Sequence, residues 1–243
     1  PTVIASEPIG LRAMVQVGRR TGAEVRAVPI HLVHVFSTFD AGGPQVRTAE
    51  LIRRLPDEYS HTILAMDGRF GCRPRVDERR VRDWLTPPRR GIGMAFRLGA
   101  RVLAQRPDVV LTYNWGAVEA VIGCLVRGFR GVVHHEETVA FDELDRPKRR
   151  RDVARRLVLP RAATTVVVAQ DLERIARERW GLSEQRLLRI GNGVDTQRFH
   201  PGDRAGARAR LGIPNDALVV GCLAHLRPEK AIERLIRAFA ERA

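Results

Sequence analysis

Residues 31–55 join a short apolar run to a helix-like pattern, with a glycine pair between them. The apolar run, residues 32–36, is rich in β-branched residues and is typical of a strand buried in a parallel sheet. After Gly42 and Gly43, apolar residues return at close to helical spacing over residues 46–55, and polar residues fill the other side. This stretch therefore predicts a strand, a glycine turn and an amphipathic helix.

The glycine pair suggests a ligand site. Gly42 and Gly43 lack a Cβ, so they can adopt positive φ angles and let a ligand approach the backbone. The free N–H groups at a helix start attract anions, which predicts a seat for a phosphate or a sugar phosphate. A plain βα turn with a glycine bend explains the same residues equally well.

Apolar runs and amphipathic stretches continue to alternate after residue 60. Strands are predicted over residues 62–66, 108–113, 131–135, 164–168 and 186–190, and helices over residues 92–105, 115–127, 148–159 and 171–180. Residues 67–91 are polar and broken by Gly and Pro, which predicts a long surface loop with at most a short strand around Val81. The alternation predicts an α/β fold with a Rossmann-like, doubly wound parallel sheet. Ligands of such sheets bind at the carboxyl ends of the strands.

The turn-forming residues that follow the last of these strands indicate a crossing between domains. We expect an uncertain N-terminal extension over residues 1–30, a first domain over 31–195, and an interdomain linker over 196–215. Residues 216–243 then begin a second Rossmann-like domain. Its apolar run, residues 218–223, predicts a buried strand that an amphipathic helix follows. One βα unit cannot bury its own apolar faces, so we expect this second domain to be truncated.

The formal net charge of +14 predicts an anionic partner, which could be a nucleotide-sugar, an anionic lipid head group or a nucleic acid. An aromatic content of 5% and the absence of zinc-finger spacing or an RNA-binding signature argue against nucleic acid. Cys72, Cys124 and Cys222 lie far apart, which favours a reducing compartment over a disulfide scaffold. No apolar run is long enough to span a bilayer, so we expect a cytoplasmic protein.

Two segments near the domain crossing carry a family signature. Residues 190–195 read Ile-Gly-Asn-Gly-Val-Asp, Phe199 and Pro201 follow, and Pro-Glu-Lys stands at residues 228–230. This order resembles the signature of family 4 retaining glycosyltransferases with the GT-B fold. The glycine pair and its helix resemble the N-terminal glycine segment of the same family, and the resemblance covers residues 31–243.

The resemblance implies an acceptor-side N-terminal domain and the start of a donor-side domain. It implies transfer of a sugar, with retention, from a nucleotide-sugar donor to a glycan or lipid-linked acceptor. No cofactor and no metal ion are expected, because fixed positive groups and backbone N–H donors stabilise the leaving diphosphate in this family. The diphosphate would be bound by His225, Arg227 and Lys230. His225 stands where the family has arginine, which leaves Arg227 as the alternative contact.

A polar cluster follows the strand predicted over residues 131–135. The resemblance gives His134, His135 and Glu136 as candidate catalytic residues, since an imidazole at a strand end can hydrogen-bond a sugar hydroxyl and a carboxylate can orient it. The functional histidine of the family corresponds either to His135 or to Glu137. The remaining candidates bind substrate: Gly42, Gly43, Asn114, Glu137 and Asn192.

Two alternatives remain open. The arginine-rich stretch over residues 146–156 suits either a peripheral contact with an anionic membrane or a solvated helix face, and its few large apolar residues favour the solvated face. The chain is also consistent with a non-catalytic fragment or a basic, anion-binding Rossmann-like protein. As a truncated chain it is expected to be inactive by itself.

Overall fold

A computed structural model describes residues 30–89, 91–138, 148–224, 226 and 228–241. Its strands form one seven-stranded parallel sheet. The strands are β1 (Ile30–Phe36), β2 (Tyr59–Ala65), β3 (Val81–Leu85), β4 (Val109–Tyr113), β5 (Val132–Glu136), β6 (Thr164–Val167) and β7 (Leu187–Arg189). The predicted α/β, Rossmann-like parallel sheet is confirmed, and so is the short strand near Val81.

The α-helices of the described residues are α1 (Gly43–Arg54), α2 (Met94–Leu103), α3 (Val118–Val126), α4 (Arg149–Val158), α5 (Gln170–Glu178), α6 (Arg204–Leu211) and α7 (Ile232–Ala240). Helices α1 to α5 lie between strands, and α6 and α7 follow β7. Apart from Ile30, which begins β1, the expected N-terminal extension lies outside the described residues.

The sheet is covered on both faces because successive strand residues point to opposite sides. Val33 and Val35 of β1 face the layer formed by α2 and α3, where Leu98 and Val121 pack against them. Phe36 faces the other layer, where α1 packs with its own buried residues. Burial on both faces explains why the central strands read as continuous apolar runs.

The strand order is β3-β2-β1-β4-β5-β6-β7. The chain moves outward from β1 to β3 and then crosses back to β4, so the order reverses between β1 and β4. In open parallel sheets the crevice at this reversal is where ligands bind. The loops after β1 and β4 therefore meet at the edge of the sheet that suits a site.

The strand predicted over residues 218–223 is wrong. These residues pair with no strand of the described chain, and Leu218 and Leu223 are exposed. A strand needs the backbone of a neighbour to satisfy its N–H and C=O groups, and none of the described strands pairs with this segment. The helix predicted after it does form as α7, with Leu235, Ile236 and Phe239 partly exposed.

Helices α2 and α3 approach each other through two glycines. A Cβ on Gly99 would lie 2.3 Å from the carbonyl oxygen of Gly123, and a Cβ on Gly123 would lie 2.1 Å from the carbonyl oxygen of Ala95. Neither neighbour is a flexible side chain. The contact therefore depends on the missing Cβ atoms.

We expect Gly99→Ala to lower the free energy of unfolding by about 1–3 kcal/mol, because the added methyl group forces the two helices apart. Gly43→Ala is the matched control, since a Cβ on Gly43 meets no atom within 4 Å. That control should be neutral or slightly stabilising. Urea unfolding followed by circular dichroism measures both, and equal midpoints for Gly99→Ala and the wild type would contradict the prediction.

Candidate functional site

The loop between β1 and α1 is held by a side chain of the helix. Gln45 donates from Nε2 to the carbonyl oxygen of Thr38 at 2.8 Å. Gly42 is the N-cap with an extended backbone at φ −153°, and Gly43 is not among the residues with positive φ. Neither glycine uses the positive φ that the missing Cβ permits. The glycine pair matters here because Gly43 has no side chain and so leaves the start of α1 open.

Arg47 of α1 reaches across the carboxyl ends of the strands. Its Nη1 donates to Oδ1 of Asn192, after β7, at 2.6 Å. Its Nη2 forms an ion pair with Oε1 of Glu137, after β5. One guanidinium thus brings together two predicted substrate-binding residues that lie 55 positions apart in the sequence.

Sequence reasoning missed Arg47, because on the polar side of an amphipathic helix it looks like any solvated arginine. The available signal was its position in the second turn after the glycine pair. Side chains there lie close to the edge of the sheet where ligands bind.

Glu137 is held at its backbone as well as at its side chain. Its N–H donates to Oδ1 of Asn114 at 2.8 Å. The side chain is only 9% exposed. This burial raises the pKa of Glu137, while the charge and hydrogen bond of Arg47 act to lower it. The carboxylate is a partly desolvated group with one fixed cation beside it.

Asn114 has a strained backbone, with φ 58° and ψ 179°. Only glycine adopts this region without penalty, and such residues concentrate at functional sites. Its N–H donates to the carbonyl oxygen of His135 at 2.7 Å, and its side chain fixes Glu137. Asn114 was expected to bind substrate; in this structure its side-chain oxygen is committed to the backbone of Glu137.

His135 lies below Arg47, on the α1 side of the sheet. Its ring stacks on Tyr113 with the centroids 4.9 Å apart. Its Nε2 is buried and has no hydrogen-bond partner among the described residues. Burial, followed by the charge of Arg47, lowers the pKa of His135 to about 3. The imidazole is therefore neutral near pH 7.

His134 and Glu136 point to the opposite face. Both side chains are 0% exposed. His134 Nε2 lies 3.2 Å from Oε2 of Glu136, and Arg155 of α4 donates from Nη2 to Oε1 of Glu136 at 3.0 Å. Burial alone would raise the pKa of Glu136, but the hydrogen bond and charge of His134, together with Arg155, lower it. The three predicted catalytic residues are thus divided, and two of them form an interior ion-pair network away from the substrate edge.

The same network buries one residue of the arginine-rich stretch, of which residues 148–156 are described. Arg155 is 1% exposed, so part of α4 belongs to the core. Its guanidinium lies 5.0 Å from the ring centroid of Trp115 and 4.9 Å from that of Trp180. Arg156, the next residue, is exposed.

A cleft of about 670 Å³ opens at the carboxyl ends of β1, β2 and β4, on the side of α2 and α3. Its polar lining comes from Ser37, Asp67 and Glu119, and Trp115 forms part of its wall. A Cβ on Gly116 would lie 2.4 Å from Cβ of Ser37, so glycine allows the loops after β1 and β4 to touch. Carboxylate and hydroxyl oxygens in such a cleft suit a ligand with several hydroxyl groups.

A row of buried imidazoles lies beneath α1. His34 Nδ1 lies 3.0 Å from the hydroxyl oxygen of Tyr113, and His34 Nε2 lies 3.0 Å from Nδ1 of His61. Burial lowers the pKa of His34 well below its ordinary value, and the nearby imidazoles of His61 and His135 add to the effect. Burial likewise lowers the pKa of His61 to about 4. Sequence reasoning did not identify this row.

The donor-side candidates are only partly described. Lys230 is exposed at the end of the turn Pro228–Lys230, directly before α7. His225 and Arg227 lie outside the described residues. Within the described part of the chain, the ion pair of Glu137 is with Arg47, and Lys230 takes no part in it.

Two features are absent from the described residues. No group of three or more His, Cys, Asp or Glu side chains in that part of the chain is arranged to hold a metal ion. Within the same ranges, no helix has the length and apolar character needed to cross a membrane.

The seven-stranded parallel sheet and its order reversal define a Rossmann-like α/β protein. The profile of Glycosyltransferase Family 4 matches residues 41–198, which is more than half of the chain. The chain belongs to this family, and the resemblance drawn from the sequence is confirmed.

Curated relatives agree with this assignment. A protein named D-inositol 3-phosphate glycosyltransferase from Nocardioides sp. is 30% identical over 268 residues, which cover 96% of this chain and 58% of the relative. A protein of the same name from Geodermatophilus obscurus is 33% identical over 142 residues, which cover 55% of this chain and 31% of the relative. The chain therefore spans well under two thirds of the length of these relatives.

Solved structures share the fold. Sucrose-phosphate synthase from Thermosynechococcus elongatus superposes with a TM-score of 0.63 at 18% identity, over 87% of this chain and 60% of that one. A glycosyltransferase from Rickettsia africae superposes with a TM-score of 0.52 at 11% identity, over 77% of this chain and 50% of that one. At these identities the likeness shows the fold alone.

The imidazole row predicts acid lability. His34, His61 and His135 bind protons in the unfolded chain near pH 6.5 but only at lower pH in the folded protein, so stability is complete above pH 6.5 and falls as the pH drops toward 4. Each histidine contributes up to about 1.4 kcal/mol per pH unit. Urea unfolding between pH 7 and pH 5 measures the slope.

His34→Gln should reduce this slope by up to about 1.4 kcal/mol per pH unit, because the amide does not titrate. His200→Gln is the control, since His200 is exposed. The prediction fails if the wild type and His34→Gln lose stability equally between pH 7 and pH 5.

The Glu136–Arg155 pair predicts a large effect on stability. Arg155→Met should destabilise the protein by about 3–5 kcal/mol, because it leaves a buried carboxylate without its cation. Arg156→Met on the same helix is the control and should change stability by less than about 0.5 kcal/mol. Adding Glu136→Gln to Arg155→Met should restore part of the loss. Thermal unfolding in which both single variants behave alike would show that the pair is not structural.

Proposed function

We propose that the protein to which this chain belongs transfers a sugar from a nucleotide-diphosphate sugar to a hydroxyl group of an acceptor. The observation that carries this proposal is the Arg47 group, in which one guanidinium binds Glu137 and Asn192 at the carboxyl edge of a Rossmann-like sheet. Membership in Glycosyltransferase Family 4 supports the same reaction. Retention of configuration and independence from metal ions are part of the proposal and follow the family resemblance.

The acceptor-side residues receive distinct roles. Gly43 leaves the start of α1 open, so backbone N–H groups there can approach a phosphate or a sugar hydroxyl. Glu137, in its ion pair with Arg47, accepts a hydrogen bond from a hydroxyl group of the substrate. Asn192 provides an amide beside it, and Gly42 shapes the turn. His135 contributes a neutral ring below this surface.

The donor diphosphate is assigned to Lys230, with Arg227 and His225 as its neighbours in the sequence. A lysine directly before a helix adds its own charge to the positive end of the helix dipole. In this scheme the developing negative charge on the leaving diphosphate is neutralised by fixed groups of the protein.

The acceptor is proposed to be a small molecule with several hydroxyl groups or a larger glycan or lipid-linked acceptor. The curated relatives are named for D-inositol 3-phosphate, which favours the small acceptor. The cleft lined by Ser37, Asp67 and Glu119 offers acceptors for the hydroxyl hydrogens of such a molecule. This cleft lies next to the turn that fixes Glu137.

A cytoplasmic location with a peripheral membrane contact is also proposed. Val153 and Leu157 are 55% and 56% exposed and lie one turn apart on α4. Exposed arginines, including Arg156, lie on the same helix. Apolar side chains among cations suit an anionic bilayer surface.

The reaction is tested by incubating the purified protein with UDP-, GDP- and ADP-sugars and with either inositol 3-phosphate or a lipid-linked glycan. We expect one donor to transfer its sugar to one acceptor without added metal and in the presence of EDTA, and NMR of the product to show retained anomeric configuration. Glu137→Gln should reduce transfer at least tenfold while the protein stays folded, because it removes a charge-assisted hydrogen bond. An inverted product, or transfer that EDTA abolishes, would refute the corresponding part of the proposal.

A further inference from the structure

We infer that Arg47 is a positioning residue that keeps Glu137 ionised and aimed along the substrate edge. The inference deepens the proposed function and rests on it, because Glu137 is the group through which Arg47 would act. Neither the sequence motifs nor membership in Glycosyltransferase Family 4 gives a role to Arg47.

Glu137 is held in place at both its backbone and its side chain. Glu137 follows the last residue of β5, where a chain leaving the sheet has no further strand pairing to fix it. Asn114 fixes its N–H, and Arg47 fixes its carboxylate. A side chain held at both ends loses little further rotational freedom when a substrate binds, which is the condition for pre-organisation.

Arg47 also acts on Glu137 through its charge. Two titratable groups interact with the charge of Glu137, Arg47 from α1 and Tyr113 from β4, and His135 from β5 stacks on Tyr113. Burial raises the pKa of Tyr113 to about 12 and lowers that of His135 to about 3, so both are neutral at pH 7. Arg47 is therefore the positive charge among these three groups that opposes the effect of burial on Glu137.

The contacts of residue 47 require an arginine side chain. The guanidinium fork donates to Asn192 from one nitrogen and to Glu137 from the other. A lysine has one compact ammonium and does not reproduce a two-pronged contact of this kind. The fork thus sets the direction of the Glu137 carboxylate as well as its charge.

The chain provides a matched comparison. Arg54, two turns further along α1, also reaches the segment after β7, where its Nη2 donates to Oδ2 of Asp195 at 3.2 Å. Its side chain is 57% exposed, and its other ion pair is with Glu50 of the same helix. Arg54 therefore shares the helix, the charge and the target segment of Arg47, but it does not contact Glu137.

The test follows the titration of Glu137 directly. Side-chain carboxyl carbons are observed by NMR in the 243-residue protein, and Glu137→Gln assigns the signal. Arg47→Met should raise the apparent pKa of Glu137 by about one to three units, because an opposite charge within hydrogen-bond distance lowers a carboxyl pKa by that amount. Arg54→Met should leave it unchanged. Arg47→Lys should give an intermediate value, and it serves as the second variant if Arg47→Met does not fold.

The second readout is the pH profile of sugar transfer. The acid limb of the profile for Arg47→Met should shift toward neutral pH by the same amount as the pKa of Glu137, and the limb for Arg54→Met should not move. A folded Arg47→Met or Arg47→Lys in which Glu137 titrates as in the wild type would overturn the inference. If no donor and acceptor give transfer, the proposed function fails, whereas the NMR titration still decides whether Arg47 sets the ionisation of Glu137.

Discussion

The site depends on one property of a parallel sheet, which is that the carboxyl ends of all its strands lie on the same edge. In this chain that edge receives the start of α1 from β1, Asn114 from β4, Glu137 from β5 and Asn192 from β7. These groups are far apart in the sequence, and no local interaction could bring them together. The sheet places them within reach of Arg47. The guanidinium donates to Glu137 and Asn192, and Asn114 is connected to it through the N–H of Glu137.

Much of the fold could be predicted because its signals are local. Apolar β-branched runs and helical spacing are properties of short segments, and they identified the strands and helices from β1 to β7. The segment at 218–223 has the same local signal, yet it forms no strand, because a strand also requires a partner backbone. Gly42 and Gly43 do not adopt the positive φ that glycine permits, for a related reason. Glycine permits that conformation, but only the surrounding turn decides whether it is adopted.

The functional cluster was harder to predict because strand alternation separates neighbours in the sequence. Residues 134–137 read as one polar group. In the sheet, His134 and Glu136 turn toward α4 and its buried arginine, while His135 turns toward α1 and Glu137 extends beyond the strand. The decisive partner in each case comes from a distant helix, Arg155 for one face and Arg47 for the other. Nothing in the local pattern distinguishes these two arginines from the many exposed ones.

The buried polar groups on the two faces of β5 differ in charge. One face has a buried ion pair, and the other has neutral imidazole rings. Glu136 is buried completely and shares its charge with Arg155 and His134, which satisfies it inside the protein. On the other face the buried rings beneath α1 are neutral, so they give Arg47 no counter-charge below. Among the described residues its ion pair is with Glu137, at the carboxyl edge of the sheet. The charge of Arg47 therefore acts on a carboxylate at that edge rather than on a group in the core.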